Sequence, residues 1–320
     1  MKKIWVFLAL AALLLFLIIA GGYIWVANSD IPYYENEAPD NFTVTMDSSL
    51  IAEGARMARL MCSQCHGSED GKLGGGFMPD TKEFGKIYAP NITQHPKYGI
   101  TDYSNGELAF LFRTGIKKNG QFAPPWMPKY PHLSDKDLNS LIAFLRSDHP
   151  LVQPSDNNPP YRQPSFLAKA LSRFAFFPLD YPNHSIPEPD SNDPVAFGKY
   201  ISTAKFDCFS CHSADFKTLD IAQPDQSVGF MAGGNSLLRK NGDLVLSSNL
   251  TMDPETGLGN WTEEEFIQAV KYGIRPNGKE AMEYPMVPYT ELTDKEASAI
   301  WAYLNSLEPV RNEKLLGEAG

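Results

Sequence analysis

Cysteine is scarce in this chain, which has only four among 320 residues. They form two pairs with the same spacing, Cys62 with Cys65 and Cys208 with Cys211. If both pairs serve one kind of motif, no thiol remains for a disulfide framework. The same count excludes a further cysteine as a ligand of a metal centre.

Positive charge is also in deficit, because 28 lysines and arginines face 38 acidic residues, a formal net charge of −10. Such a surface repels phosphates, which argues against nucleic acid as a partner. It suits a basic protein partner instead. With 43% hydrophobic and 21% charged residues, the composition is typical of folded domains. The length allows two domains of about 100–150 residues each.

A long apolar run, from Ile4 to Val26, follows the cationic start Met1-Lys2-Lys3. About 20 apolar residues are enough to span a bilayer as a helix, whereas the core of a signal peptide has about 7–15. We therefore expect a transmembrane anchor, with a signal peptide cleaved near Ala20 and Gly22 as the alternative. The two lysines place the N-terminus in the cytoplasm and the rest of the chain outside it.

Each cysteine pair is followed directly by a histidine, in Cys62-Ser63-Gln64-Cys65-His66 and Cys208-Phe209-Ser210-Cys211-His212. This is the attachment signature of c-type haem. Each thiol adds to one vinyl group of the porphyrin, and the histidine becomes the proximal iron ligand. A single match could be a zinc half-site, but two matches that use all four cysteines predict two covalently attached haem c groups. Haem attachment on the outer side of the membrane agrees with the direction of the anchor.

The two motifs belong to an internal repeat. At an offset of 158 residues, Asn249-Leu250-Thr251 corresponds to Asn91-Ile92-Thr93, and the capping box of Thr262 to Glu265 corresponds to that of Ser104 to Glu107. The motifs themselves are offset by 146, so the second module carries an insertion of about twelve residues, near 220–243. The sequence therefore predicts a duplicated domain.

The repeat predicts an all-α fold with two tandem haem domains. Gly54 and Gly198 interrupt the first helix of each module at a cost of about 1 kcal/mol, so we expect the last helix to cross there, near Phe144 and Tyr303. The predicted segments are an anchor or signal peptide (1–27), a tether (28–47), domain 1 (48–150), a proline-rich linker (151–192), domain 2 (193–310) and a tail (311–320). The linker holds a short amphipathic stretch, and one option is that its aromatic end, Phe174 to Phe177, contacts a membrane.

The sixth iron ligand decides between electron transfer and chemistry at iron. Met127 and Met286 both lie six residues before the leucine that precedes the last predicted helix, in proline-flanked extended segments. We predict His66 with Met127 and His212 with Met286 as the ligand pairs, because methionine suits reduced iron. Met282 remains a rival to Met286. The other histidines are interpreted as surface residues, and the candidates for contact with haem propionates are Tyr88, Arg113, Trp126 and Tyr130.

These features together resemble the membrane-anchored cytochrome c subunits of bacterial periplasmic dehydrogenases, such as those for alcohols and gluconate. The resemblance covers residues 49–148 and 194–308. It implies electron passage from a dehydrogenase to quinone, a soluble cytochrome or an oxidase. Members of that family typically carry three haem modules, whereas this sequence has two.

The sequence thus predicts a dihaem relay on the periplasmic face of a bacterial inner membrane, held by one span and without a catalytic residue of its own. Three alternatives stay open: a cytochrome c subunit of a terminal oxidase, a stand-alone shuttle between complexes, and a dihaem peroxidase. The last would be an enzyme that needs one iron open to peroxide, and the two methionine candidates argue against it. The sequence does not rank the first two.

Overall fold

The computed structural model describes residues 2–78, 83–124, 126–239, 241–278 and 281–316. Pro125 of the predicted Met127 segment, Lys240 of the predicted insertion and residues 317–320 of the predicted tail lie outside this set. The helices of the described residues are α1 (Lys2–Asn28), α2 (Ser48–Met61), α3 (Ser63–His66), α4 (Asn105–Thr114), α5 (Asp135–Leu145), α6 (Phe166–Phe174), α7 (Pro194–Tyr200), α8 (Cys208–Cys211), α9 (Glu263–Tyr272) and α10 (Asp294–Ser306).

Among the described residues, three short antiparallel ladders accompany the helices. They pair β1 (Gly76–Phe77) with β3 (Tyr88–Ala89), β2 (Gly85–Lys86) with β4 (Gln163–Pro164), and β5 (Ser236–Leu238) with β6 (Leu244–Leu246). The mostly helical architecture confirms the predicted fold class. The ladders were not predicted, because strands of two or three residues are too short for an alternating pattern. The pair β5–β6 is the counterpart of β1–β3, because the amide of Gly75 donates to His66 O before the first pair and the amide of Gly233 donates to His212 O before the second. The extra residues of the second module therefore lie between His212 and Gly233, and the prediction that the insertion extends to residue 243 was wrong.

Each module is a pair of crossed helices, α2 with α5 and α7 with α10, completed by α4 or α9. A Cβ atom on Gly54 would lie 2.0 Å from the carbonyl oxygen of Ser140 and 2.7 Å from Cβ of Phe144. A Cβ atom on Gly198 would lie 1.9 Å from the carbonyl oxygen of Ala299. The prediction that both glycines mark helix crossings is confirmed.

Replacing Gly54 by alanine is expected to destabilise the first module, by about 1–3 kcal/mol or more, because α2 and α5 must move apart. Thermal unfolding followed by circular dichroism measures the loss. Gly76→Ala is the matched control, since a Cβ atom there meets nothing closer than 3.7 Å and the backbone is not left-handed. Equal stability of the two variants would contradict the close crossing.

The predicted helix starts are present in both modules. Ser104 and Glu107 form a reciprocal capping box at α4, and Thr262 and Glu265 form the same box at α9. Asp193 caps α7, with Pro194 in its first turn. These caps satisfy amide groups that would otherwise lack partners, so they set where the helices begin.

A buried ion network joins the two modules. Arg56 on α2 donates to Glu296 on α10 at 2.7 Å, and Lys205, in a π-helical turn after α7, lies 2.8 Å from Glu53 and 3.1 Å from Asp137. Burial opposes the charge of Glu53, but hydrogen bonds and charges from Arg56 and Lys205 outweigh it and lower its pKa to about 2. The stability that this lowered pKa contributes is present above the ordinary value of 4.5 and is lost as the pH falls towards 2.

Lys205→Met is expected to destabilise the junction of the modules by about 3–5 kcal/mol, because it leaves the buried carboxylate of Asp137 without its cation and leaves Glu53 with Arg56 alone. The side chain of Lys205 is only 3% exposed. Lys199→Met, on the preceding helical turn at an exposed position, is the control and is expected to be neutral. Denaturant unfolding of both variants provides the comparison, and equal midpoints would show that the network contributes nothing.

The segment 28–47, predicted as a tether, follows the surface of the first module. Ile31 is 1% exposed, the amide of Tyr34 donates to Gly120 O at 2.8 Å, and the side chain of Asn36 donates to Lys117 O at 3.1 Å. Helix α1 itself is long and apolar enough to cross a membrane, and its apolar window is fully exposed. By length and composition it is therefore a candidate membrane span.

Candidate haem-binding sites

The structure places a largely apolar cavity beside each Cys-x-x-Cys-His motif. The cavity of the first module has a volume of about 120 Å³, and that of the second about 310 Å³. Protein interiors contain few voids larger than a water molecule, so two such cavities in repeated positions indicate ligand sites. The residues predicted to bind haem line them: Cys62, Cys65, His66 and Met127 in the first, and Cys208, Cys211, His212 and Met286 in the second.

The two histidines are held in the same way. Nδ1 of His66 lies 2.8 Å from Pro90 O, and Nδ1 of His212 lies 2.8 Å from Ser248 O. Burial lowers the pKa of both imidazoles, which favours the neutral form that binds metals. With Nδ1 engaged by a backbone carbonyl, Nε2 is the nitrogen left to bind a metal, an arrangement common among metal-binding histidines.

Hydrogen bonds of the backbone distinguish Met286 from Met282. Three residues after Met127, the amide of Tyr130 donates to Phe112 O at 2.7 Å, and three residues after Met286 that of Tyr289 donates to Val270 O at 2.8 Å. Met286 therefore occupies in the second module the backbone position that Met127 occupies in the first.

Met282 corresponds to a different residue of the first module. Its amide donates to Gly273 O, as the amide of Ala123 donates to Gly115 O. The structure nevertheless places both Met282 and Met286 on the wall of the second cavity. The repeat favours Met286.

The hairpin of β5 and β6 contributes to the cavity of the second module. Leu237 of β5 and Val245 and Leu246 of β6 line it, together with Arg239 in the turn between the strands. In the first module, Tyr88 and Ala89 of β3 lie at the corresponding side. The hairpin therefore forms the same wall of the site in both modules.

Both predicted haem modules match a known protein family. A family profile described as Cytochrome c matches residues 51–148 and 195–308, which is most of the chain outside α1 and the linker. The chain belongs to the cytochrome c family. Membership implies covalently bound haem c, in agreement with the motifs.

Three relatives of this cytochrome c are cytochrome c subunits of dehydrogenases. The "Alcohol dehydrogenase (quinone), cytochrome c subunit" of Gluconacetobacter polyoxogenes is 31% identical over 84% of this chain. The protein of the same description from Gluconobacter oxydans (strain 621H) is 29% identical over 85%. The "Gluconate 2-dehydrogenase cytochrome c subunit" of Pantoea cypripedii is 30% identical over 82%. The resemblance inferred from the sequence is confirmed, although the chain spans only 58–60% of the length of these relatives.

A cationic wall in the first cavity fits the carboxylates that a haem carries as propionates. Arg162 lines the cavity, and its Nε and Nη2 are buried without a hydrogen-bond partner among the described residues. Lys117 lines it too, and burial, reinforced by the charge of Arg162, lowers its pKa to about 7. Cations in an apolar wall are costly unless an acid pairs with them, and Asp30 offsets the lowering of the pKa of Lys117 only in part. Two propionates would satisfy both side chains.

Sequence reasoning missed these cations. Of the four candidates that it named for propionate contact, Tyr88, Trp126 and Tyr130 line the cavity. Arg113 instead donates to the backbone oxygens of Tyr130, Pro131 and Leu133 and to Asp135. The repeat held one usable signal, since Arg275 of the second cavity stands 158 residues after Lys117. No sequence pattern pointed to Arg162, because it lies in the linker, which is not part of the repeat.

Arg162→Gln is expected to lower the reduction potential of the haem of the first module. A nearby positive charge favours the reduced iron, and a full charge at an assumed separation of about 10 Å with an effective dielectric of about 20 is worth about 1.5 kcal/mol, or about 60 mV. Spectroelectrochemical titration measures the shift. Arg173→Gln, which removes a partly unpartnered arginine from α6 outside the cavity, is the control. An unchanged titration of Arg162→Gln would contradict the assignment.

Proposed function

We propose that the chain is a membrane-anchored dihaem cytochrome c that relays single electrons on the periplasmic face of a bacterial inner membrane. It receives them from a dehydrogenase and passes them to quinone, a soluble cytochrome or an oxidase. The observation that carries the proposal is the repeated site: each cavity combines a Cys-x-x-Cys-His motif with a methionine from a proline-flanked segment. Both methionines lie at turns, where the sequence predicted extended chain, and the amide of Met127 donates to Pro124 O at 3.0 Å. The printed names of the relatives, which are dehydrogenase subunits, support the donor.

Haem c, when bound, supplies a reversible one-electron iron couple. The residues of each site would hold the haem in one position and shield it from solvent. The two cysteines would hold the porphyrin covalently, the histidine and the methionine would bind the iron, and the apolar wall would exclude water. The methionine sulfur favours reduced iron relative to a second histidine. A site that offers both a histidine and a methionine to the iron suits electron transfer better than reaction with peroxide, which supports a carrier over a peroxidase.

The two sites are neighbours, which supports a relay between them. Gln64, inside the first motif, lines the cavity of the second module. Burial raises the pKa of Tyr130, in the first site, and nearby Cys62, Asp207 and Tyr289 raise it further. Asp207 and Tyr289 both line the second cavity. The cysteine side of each site therefore faces the junction of the modules.

Purification from native membranes in mild detergent, with mass spectrometry of the proteins that remain bound, tests the proposal. Recovery of a dehydrogenase whose substrate reduces both haems is the expected result and would identify the donor's substrate. Recovery of oxidase subunits in its place would move the protein to the terminal end of the chain. A reducible protein recovered alone would exclude both subunit assignments and leave the shuttle.

A further inference from the structure

Helix α6 in the linker has an apolar face that the rest of the described chain does not cover. Phe166 is 40% exposed, Leu167 44%, Phe174 66% and, just after the helix, Phe177 56%. The opposite face, with Ala168 and Ser172, is buried. Large apolar side chains grouped on one side of a short helix are a contact surface rather than a random exposure.

This helix is docked on the outer end of α1. The ring of Phe166 stacks on that of Tyr23 at 4.6 Å, and Nζ of Lys169 donates to Ala27 O at 2.7 Å. The guanidinium of Arg173 lies 5.1 Å from the ring centroid of Trp25. These contacts follow α1 over its last six residues and fix α6 against them.

The contacts place α6 at the level of the lipid headgroups if α1 spans the membrane. A helix of 27 residues is about 40 Å long at 1.5 Å per residue, and the hydrocarbon core is about 30 Å thick. The end of α1 therefore emerges into the interface. Tyr23 and Trp25 are 57% and 58% exposed there, as expected of an aromatic belt.

We propose that α6 is an interfacial helix that inserts Phe166, Leu167, Phe174 and Phe177 into the outer leaflet of the phospholipid bilayer beside α1. The face is continuous with the exposed apolar surface of α1, to which Lys169 and Arg173 hold the helix. The inference rests on the anchor of the proposed function, because it requires α1 to remain in the mature protein.

The consequence is a fixed orientation of the first module on the membrane. The backbone amide of Ser165 donates to Phe84 O at 2.7 Å, and its hydroxyl donates to Glu83 O at 2.8 Å. The ladder of β2 with β4 ties the start of α6 to the same module. Two membrane contacts, α1 and α6, would then hold the first module in one orientation. A single span would let the module rotate about the axis of α1.

Site-directed spin labelling of the full-length haem-loaded protein in nanodiscs tests the inference. Haem attachment uses all four native cysteines, so one added cysteine carries the only label. Leu167→Cys and Phe174→Cys report on α6, and Leu244→Cys, at a 70% exposed position on β6, is the matched control. The nanodiscs contain zwitterionic and anionic phospholipid, and power saturation compares collisions with oxygen and with a water-soluble nickel chelate. Intact mass gives the haem number and shows whether α1 is retained.

We expect labels at positions 167 and 174 to collide more with oxygen than with the chelate, and the label at 244 to show the reverse. The same accessibility at all three positions, with α1 retained, would overturn the role of α6 and leave the anchor intact. Loss of α1 from the mature chain would overturn the anchor and with it this inference. A haem number other than two would count against the dihaem proposal without bearing on α6.

Discussion

A chain carrying Cys208→Ala and Cys211→Ala is expected to retain one covalent haem where the native chain holds two. Each motif lines its own cavity and supplies both thiols for one porphyrin, so removing one pair abolishes one thioether-linked group and leaves the other. The haem-to-protein ratio should fall by half. The pyridine haemochrome spectrum gives the amount of haem, and the intact mass gives the number attached to each chain.

Cys62→Ala with Cys65→Ala is the reciprocal variant and is expected to give the same ratio. Comparing the two separates loss of a haem from loss of the fold, because each variant keeps one intact site as an internal reference. The fold of the altered module is expected to suffer, since the haem fills a cavity of its core. A native ratio of one, or an unchanged ratio in either variant, would refute the dihaem assignment.

Replacing Met286 by leucine is expected to change the spin state and the potential of one haem. Leucine keeps the volume of the side chain but has no sulfur, so the iron loses its sixth ligand and becomes partly high-spin. The potential should fall by a sizeable part of the range of about 0.8 V that axial ligands span. The two readouts are the titration midpoint and the sulfur-to-iron charge-transfer band, which should fall to half its intensity because the haem of the first module keeps Met127.

Met282→Leu is the matched control, because it removes the rival sulfur from the same cavity. It is expected to leave the charge-transfer band in place. The reverse pattern, with the band halved in Met282→Leu and unchanged in Met286→Leu, would assign the ligand to Met282 and overturn the argument from the repeat. Met127→Leu extends the test to the first module, where Ala123 stands at the position of Met282 and offers no competing sulfur.

Local signals in the sequence predicted the helices because their causes are local. A capping box such as Ser104 with Glu107 is made within one turn, and the apolar stripes of α5 and α10 follow from the helical period. The helix crossings at Gly54 and Gly198 were also predictable. Glycine destabilises a helix, so its presence there indicated that another helix packs too closely for a larger side chain. The repeat added what one copy could not, by pairing Met127 with Met286 across 159 residues.

The sequence by itself determined the family, the haem motifs and the duplicated helical architecture, because each depends on residue types at fixed short spacing. Only the tertiary structure decided what depends on residues far apart in the chain. It brought Arg162 of the linker into the first cavity, set Lys205 against Glu53 across 152 residues and laid α6 on the end of α1. Buried charge and exposed apolar surface follow from packing, and no local spacing encodes which distant elements pack together.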